Sequence, residues 1–289
     1  MRPVLRRTPT SNSLYTDKKK PCFYLCNHRS WADFTLDSLL TAGGTYISRY
    51  GVILGVPTPI LYSYLAGSII LFNRRPGIDR NWLTNHVKAN WDLHPESGII
   101  VYPEGTRNLR NHSLPLKRGL LESAFRLGAP CQVVIAIGKD RLFNEKALTF
   151  HPGSQITVHY GPVLDPTPFA DPAFEPPMAS GDEEKTMERR RLEAWYAHVQ
   201  QAWDECWDVA QKTDDIDAEF FAKQAKAAPR QSADRDDMPP GGSKPFTGPF
   251  YQPITDNLRR WVSPVPARAN AWRAVLLGAV GLGYALWFR

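Results

Sequence analysis

His28-Arg29-Ser30-Trp31-Ala32-Asp33 places an imidazole five positions ahead of a carboxylate, the pairing in this chain best suited to moving a proton. A carboxylate that accepts the proton on one ring nitrogen leaves the other nitrogen free to take a proton from an alcohol, and it orients a base that is weak on its own. By spacing alone the same residues also read as a surface turn with an aspartate at a helix start. Context separates the two readings. The apolar run Phe23-Tyr24-Leu25-Cys26 predicts a short buried strand, so Asn27-His28 would lie where the chain leaves a sheet, at a face where ligands bind in α/β folds.

Three downstream segments repeat that design. Gly67-Ser68-Ile69-Ile70-Leu71-Phe72-Asn73-Arg74-Arg75 predicts a buried strand that delivers two arginines at its end. Ile99-Ile100-Val101-Tyr102-Pro103-Glu104-Gly105-Thr106-Arg107 is again an apolar run followed by a polar tight turn. Leu116-Lys117-Arg118-Gly119 opens a helical stretch, and Ala129-Pro130-Cys131-Gln132-Val133-Val134-Ile135-Ala136-Ile137 supplies a further buried strand. Chemistry-bearing residues at several strand ends are how open α/β sheets build a site.

With these motifs in order, residues 20–165 resemble the glycerolipid acyltransferases of the lysophosphatidic acid acyltransferase (1-acylglycerol-3-phosphate O-acyltransferase) type. Asn27-His28-x4-Asp33 resembles that family's first motif, Gly67 through Arg74 its second, and Tyr102-Pro103-Glu104-Gly105-Thr106-Arg107 its third. Ala129-Pro130 with Val133-Val134-Ile135 resembles the fourth, although the usual second proline is absent. The resemblance implies acyl transfer from acyl-CoA, a co-substrate, to lysophosphatidic acid, with no bound cofactor and no metal. His28 would be the base and Asp33 its orienting partner. Arg74 and Arg107 would clamp the acceptor phosphate through their guanidinium forks. Thr106 and the Gly105 backbone would add neutral donors, Glu104 would pair an arginine or the glycerol hydroxyl, and Lys117 would touch phosphate or CoA. Glycerol 3-phosphate or another lysophospholipid stands as the alternative acceptor, and a catalytically idle lipid-binding protein as the alternative class.

The elements that must position these residues follow from the alternation of apolar runs and helical stretches between residues 21 and about 165. That pattern predicts an α/β fold, a central largely parallel or mixed sheet with helices on both faces. Gln155 to Gly161 reads as a late strand, and residues 165–180 as a loop. Glu183 to about Lys212 reads as a long helix whose stripe of Leu192, Trp195, Tyr196, Val199, Trp203, Cys206 and Ala210 packs on the domain. The acyltransferase domain is thus expected over 21–212, behind a basic, mobile segment 1–20 and ahead of a polar, Pro- and Gly-rich linker 213–265. The cysteines Cys22, Cys26, Cys131 and Cys206 make no disulfide framework, which fits a reducing, cytosol-facing compartment.

Charge gathers at the ends of the 289 residues. Residues 1–20 hold six basic residues against one acidic, and 251–289 five against one, within a net charge of +6. This arrangement suits an anionic membrane surface, and no basic module with reading or stacking residues points to nucleic acid. A mean hydropathy of −0.37 excludes a multi-span membrane protein. The uncharged run Ala274–Phe288, bounded by Arg273 and Arg289, predicts a C-terminal hydrophobic helix and, over 266–289, a membrane anchor. Fifteen helical residues reach roughly 22 Å, short of a roughly 30 Å hydrocarbon core, so flanking arginines would snorkel. An Arg-rich start predicts no signal peptide. The expected location is a membrane facing the cytosol, in the endoplasmic reticulum or, alternatively, the mitochondrial outer membrane.

Overall fold

The computed structural model describes residues 4–17, 21–31, 33–50, 63–64, 68–72, 80–93, 98–144, 149–151, 153–177 and 186–227. In chain order these form β1 (Val4–Arg7), β2 (Phe23–Cys26), α1 (Asp33–Leu40), β3 (Thr45–Arg49), β4 (Ile69–Phe72), α2 (Arg80–Leu93), β5 (Ile99–Val101), α3 (Arg118–Leu127) and β6 (Cys131–Ile137). The short α4 (Lys139–Leu142), a hairpin of β7 (Phe143–Asn144) and β8 (Thr149–Phe150), β9 (Gln155–Leu164), α5 (Thr167–Ala170) and the long α6 (Met187–Ala227) follow.

Among the described residues, seven strands make one sheet in the order β1-β9-β6-β2-β5-β3-β4. The five strands from β6 to β4 are mutually parallel; β9 runs antiparallel to β6 and carries β1 parallel to itself. This is the expected mixed α/β sheet. Period-two alternation sorts its side chains to two faces. Phe23, Leu25, Ile99, Val101, Val133 and Ile135 turn to the side covered by α2, α3 and α6. Tyr24, Cys26, Ile100, Val134 and Ala136 turn to the other side, where Leu36 and Leu40 of α1 cover them. Strands buried on both faces read as continuous apolar runs, which is why β2, β5 and β6 are almost wholly apolar.

The stripe expected on the long helix is buried throughout, and Trp207 joins it. Trp195, Trp203 and Trp207 are fully buried. An indole removed from water in this way is worth on the order of 4 kcal/mol before its entropy cost.

Both expected domain edges move. Residues 4–7, assigned to a mobile N-terminus, form β1, and the attachment continues beyond it. The Thr8 and Asn12 amides donate to Val158 and Tyr160 carbonyls at 2.9 and 2.8 Å, and Gln132 accepts from the Tyr15 amide at 2.8 Å. At the other edge, α6 runs past residue 212 to Ala227, through the first part of the expected linker. Two of its acidic residues, Asp214 and Asp217, are buried. Asp214 takes Arg141 at 2.6 Å and Thr157 at 3.0 Å, and Asp217 takes the buried Arg6 at 2.9 Å. In both cases the partner lies far away in sequence. Arg74, Gly67 and the 228–289 segment, with the rest of the linker and the anchor, lie outside the described residues. Among the described residues, no helix is long and apolar enough to cross a membrane.

Gly98 shows how tightly β5 is seated beside β2. A Cβ added there would meet Tyr24 Cε2 at 2.3 Å and the Cys22 carbonyl oxygen at 2.8 Å. Tyr24 cannot swing aside, because its ring is buried and its hydroxyl donates to the Tyr15 carbonyl at 2.7 Å. Gly98→Ala should therefore lower stability by about 1–3 kcal/mol, the usual cost of overpacking. A denaturant midpoint equal to that of the wild type would contradict this close approach.

Candidate active site

The chain leaves β2 through a pinned asparagine. The Asn27 carboxamide donates to the Ala136 carbonyl at 3.0 Å and accepts from the Ala136 amide at 2.8 Å, extending the β2–β6 contact by one side chain. His28 follows at once, and its carbonyl accepts the Asn108 amide at 2.7 Å, tying the first motif to the third. Arg29 turns inward. It pairs with Asp140 at 2.6 Å and donates to the Arg110 carbonyl at 3.2 Å, so it clamps the loop after β5 to α4.

His28 Nδ1 lies 2.8 Å from Asp33 Oδ2. An ionised carboxylate only accepts, so Nδ1 carries the proton and Nε2 holds the free lone pair. Asp33 is fully buried and further held by the Arg29 and Ser30 amides, at 2.5 and 3.0 Å, and by the Ser30 hydroxyl at 3.2 Å. Burial pushes its carboxyl up, but Lys139, the His28 hydrogen bond and the Arg29 amide outweigh that and hold it below the ordinary carboxylate value. The structure therefore brings together the pair expected from His-x4-Asp and keeps its acid ionised.

Three residues beneath the pair were not foreseen. Lys139, fully buried, sets its ammonium 2.9 Å from Asp37 Oδ2 and 3.6 Å from Asp33 Oδ2, and donates to the Asn27 carbonyl. Burial lowers the Lys139 pKa, yet Asp33 and Asp37 outweigh it, so the amine is held protonated. Tyr102 donates to Asp37 Oδ2 at 3.0 Å, and its ring stacks on His28 with centroids 4.3 Å apart and planes 19° from parallel. The available signals were modest: Asp33 and Asp37 are four apart on one helix, hence on one face, and Lys139 stands two residues past a buried strand parallel to β2.

Beside His28 opens a cavity of about 650 Å³. Phe34, Ile47, Phe72, Leu83, Val101 and Leu120 give it an apolar wall, whereas Gly105, Thr106, Arg107 and Lys117 bring the polar and cationic groups. Thr106, Arg107 and Lys117 are exposed at its rim. Lys117 is the residue before the first turn of α3, and its amide donates to the Pro103 carbonyl at 2.7 Å.

Two expected contacts differ. The Gly105 amide donates to the Tyr102 carbonyl at 3.0 Å, closing the turn, so it is not the neutral donor expected. Glycine is needed there because φ is 69°. Glu104 is buried rather than cavity-lining. Its Oε1 accepts from Asn108 Nδ2 at 3.0 Å and from the Leu114 amide at 2.8 Å, so it shapes the loop that carries Thr106 and Arg107. Burial raises its pKa against those two hydrogen bonds. Sequence places Glu104 beside a cationic motif; only the path of the 104–114 loop reveals that two loop donors take its Oε1. Arg74 lies outside the described residues. Among the described residues, no group of three or more His, Cys, Asp or Glu side chains is placed to hold a metal ion.

A 1-acyl-sn-glycerol-3-phosphate acyltransferase of Cocos nucifera is 26% identical over 142 residues, covering 47% of this chain and 44% of that protein, so the chain spans under half the length of this relative. The crystal structure of the 1-acyl-sn-glycerophosphate (LPA) acyltransferase PlsC from Thermotoga maritima aligns over 69% of this chain and 72% of its own, at 20% identity and a TM-score of 0.43. The family model described as Acyltransferase matches residues 7–137. Every residue lining the cavity falls within that segment, which is similar to the Acyltransferase family.

Proposed function

We propose that this protein is an O-acyltransferase that moves a fatty acyl group from acyl-CoA to the free hydroxyl of lysophosphatidic acid, giving phosphatidic acid. The observation that carries the reading is the His28–Asp33 pair, 2.8 Å apart, at the wall of a cavity that is apolar on one side and cationic on the other. A fatty chain suits the apolar wall, where each buried methylene contributes about 0.8 kcal/mol. A phosphate suits the rim of Arg107, Lys117 and Thr106.

The chemistry then needs few groups. A thioester is already activated, so the protein has to place the alcohol and remove its proton during attack. The alcohol oxygen adds to the thioester carbon as His28 Nε2 takes the hydroxyl proton. The tetrahedral intermediate collapses with rupture of the carbon–sulfur bond, and the imidazolium returns the proton to the departing thiolate. Attack is direct, so no protein nucleophile is required, and Ser30 is committed to Asp33. The intact pair argues against an idle lipid-binding protein. The acceptor itself is tested by assaying lysophosphatidic acid, glycerol 3-phosphate and other lysophospholipids against one acyl-CoA; a preference for another acceptor would replace lysophosphatidic acid in this reading. We also propose that the segment 266–289 attaches the protein to a cytosol-facing membrane, the endoplasmic reticulum being favoured, where the acceptor resides.

His28→Ala should lower kcat by roughly 10²–10⁴, the contribution of a general base, and Asp33→Asn somewhat less. Wild-type turnover in folded His28→Ala protein would sink the mechanism.

Arg107→Ala should raise the KM for lysophosphatidic acid by about one to two decades, with a much smaller change for acyl-CoA, because a charge-assisted contact is worth about 1.5–3 kcal/mol. Arg107→Lys should recover part of that loss, since a point charge lacks the fork. An equal loss with a phosphate-free acceptor would reject the phosphate assignment.

Deleting residues 266–289 should release the protein from membranes while activity on water-dispersed acceptor survives. Complete extraction of the full-length protein by alkaline carbonate would exclude an inserted anchor.

A further inference from the structure

We propose that Asp37 and Lys139, linked to the imidazole by Tyr102, are positioning residues that keep one surplus negative charge buried beneath His28, and that this charge stabilises the imidazolium formed when His28 takes the acceptor's proton. The inference rests on the reading of His28 as the base.

The cluster holds two carboxylates and one ammonium. Asp33, Asp37 and Lys139 are each at most 1% exposed, and the ammonium reaches both carboxylates, at 3.6 and 2.9 Å. One ammonium balances one carboxylate. Arg29 does not supply the missing cation, because its guanidinium is spent on Asp140 at 2.6 Å. The other titratable groups facing Asp37 are Tyr46, Tyr102 and Cys26, and burial pushes all three well up, so they stay neutral. With a neutral imidazole the cluster therefore carries one net negative charge.

A buried carboxylate without its own counter-ion is costly, and an ion pair serving only the fold has no use for one. The cost is visible at Asp37, whose carboxyl burial pushes up to about 6, with Asp33 adding to the push and Lys139 opposing it. The surplus is cancelled in one state of the reaction, the one in which His28 has become imidazolium. An interaction stronger at that point than in the resting protein accelerates the chemical step instead of merely tightening binding. Tyr102 completes the link: its ring fixes the plane of the imidazole at 4.3 Å while its hydroxyl holds Asp37 at 3.0 Å.

The test follows the His28 imidazole by NMR through a pH titration, its signals assigned by their loss in His28→Ala, alongside the pH dependence of kcat/KM. Removing the surplus with Asp37→Asn should move the His28 titration to lower pH by about one unit or more and lower kcat about tenfold or more, each unit being a factor of ten, with both KM values little changed. The double variant Asp37→Asn/Lys139→Met restores the net charge and should bring the titration back to within about half a unit of wild type. A merely structural ion pair would make the double variant no better than the single one. Tyr102→Phe, which keeps the stacked ring, tests the same idea should Asp37→Asn not fold. Without its hydroxyl donor Asp37 takes up a proton at higher pH, so the acid limb of kcat/KM should shift upward. A His28 titration unmoved in folded Asp37→Asn, or an acid limb unmoved in Tyr102→Phe, would overturn the proposal. The NMR arm stands apart from turnover: an active His28→Ala would remove the catalytic reading, whereas an unmoved titration would remove the charge effect.

Discussion

Strand β2 has hydrogen-bonded neighbours on both edges, β5 and β6, and packed side chains on both faces. Four residues so enclosed have one register available, since a slip by one position would exchange the Phe23 and Leu25 face with that of Tyr24 and Cys26. The position of the His28 backbone follows from that register. Asn27 copies the strand contact with its side chain, the His28 carbonyl receives Asn108 from the loop after β5, and Lys139 arrives from the end of β6. Three parallel strand ends thus converge on one point. The apolar runs are the cause, and the His28–Asp33 pair is placed by them.

Electrostatics at this point would otherwise work against the fold. Two carboxylates lie in the interior at the start of α1, and they persist because backbone amides, hydroxyls and a lysine surround them. Glu104 illustrates the same economy in the neighbouring loop, where one buried oxygen gathers two donors and fixes the shape of a stretch with little apolar side chain of its own. Such loops are organised by polar contacts in the way strands are organised by packing, and each buried partner costs more to remove than it contributes when paired.

How much of this was legible in the sequence depended on the range over which each cause acts. The strands β2, β4, β5, β6 and β9 are written as local apolar runs, and the helical stripe of α6 as local periodicity, so both could be read directly. His28 and Asp33 were readable because they stand five positions apart across a single turn. Gly105 and Glu104 were recognisable as a motif, yet their roles as turn and loop builders depend on where the 104–114 segment folds back. Strand β1, the ties of Asp214 and Asp217, and the Lys139–Asp37 contact involve partners about 100 or more residues apart in most cases. Composition assigned those stretches to a mobile end and a linker because their buried partners lie outside any local window.

The attachment of β1 has a consequence for how the chain is made. Val4–Arg7 pairs with Gln155–Val158, so this strand is synthesised about 150 residues before the one that receives it. Closing a loop of about 150 residues precedes any reward from that pairing, which is the situation in which topology slows folding. During translation the segment 4–7 leaves the ribosome with an unsatisfied edge while β9 has yet to be made, and Arg6 waits longer still for Asp217. Charge along a waiting strand discourages edge-to-edge association. The arginines at positions 2, 6 and 7 would then keep the nascent strand apart from its neighbours until the sheet that receives it exists.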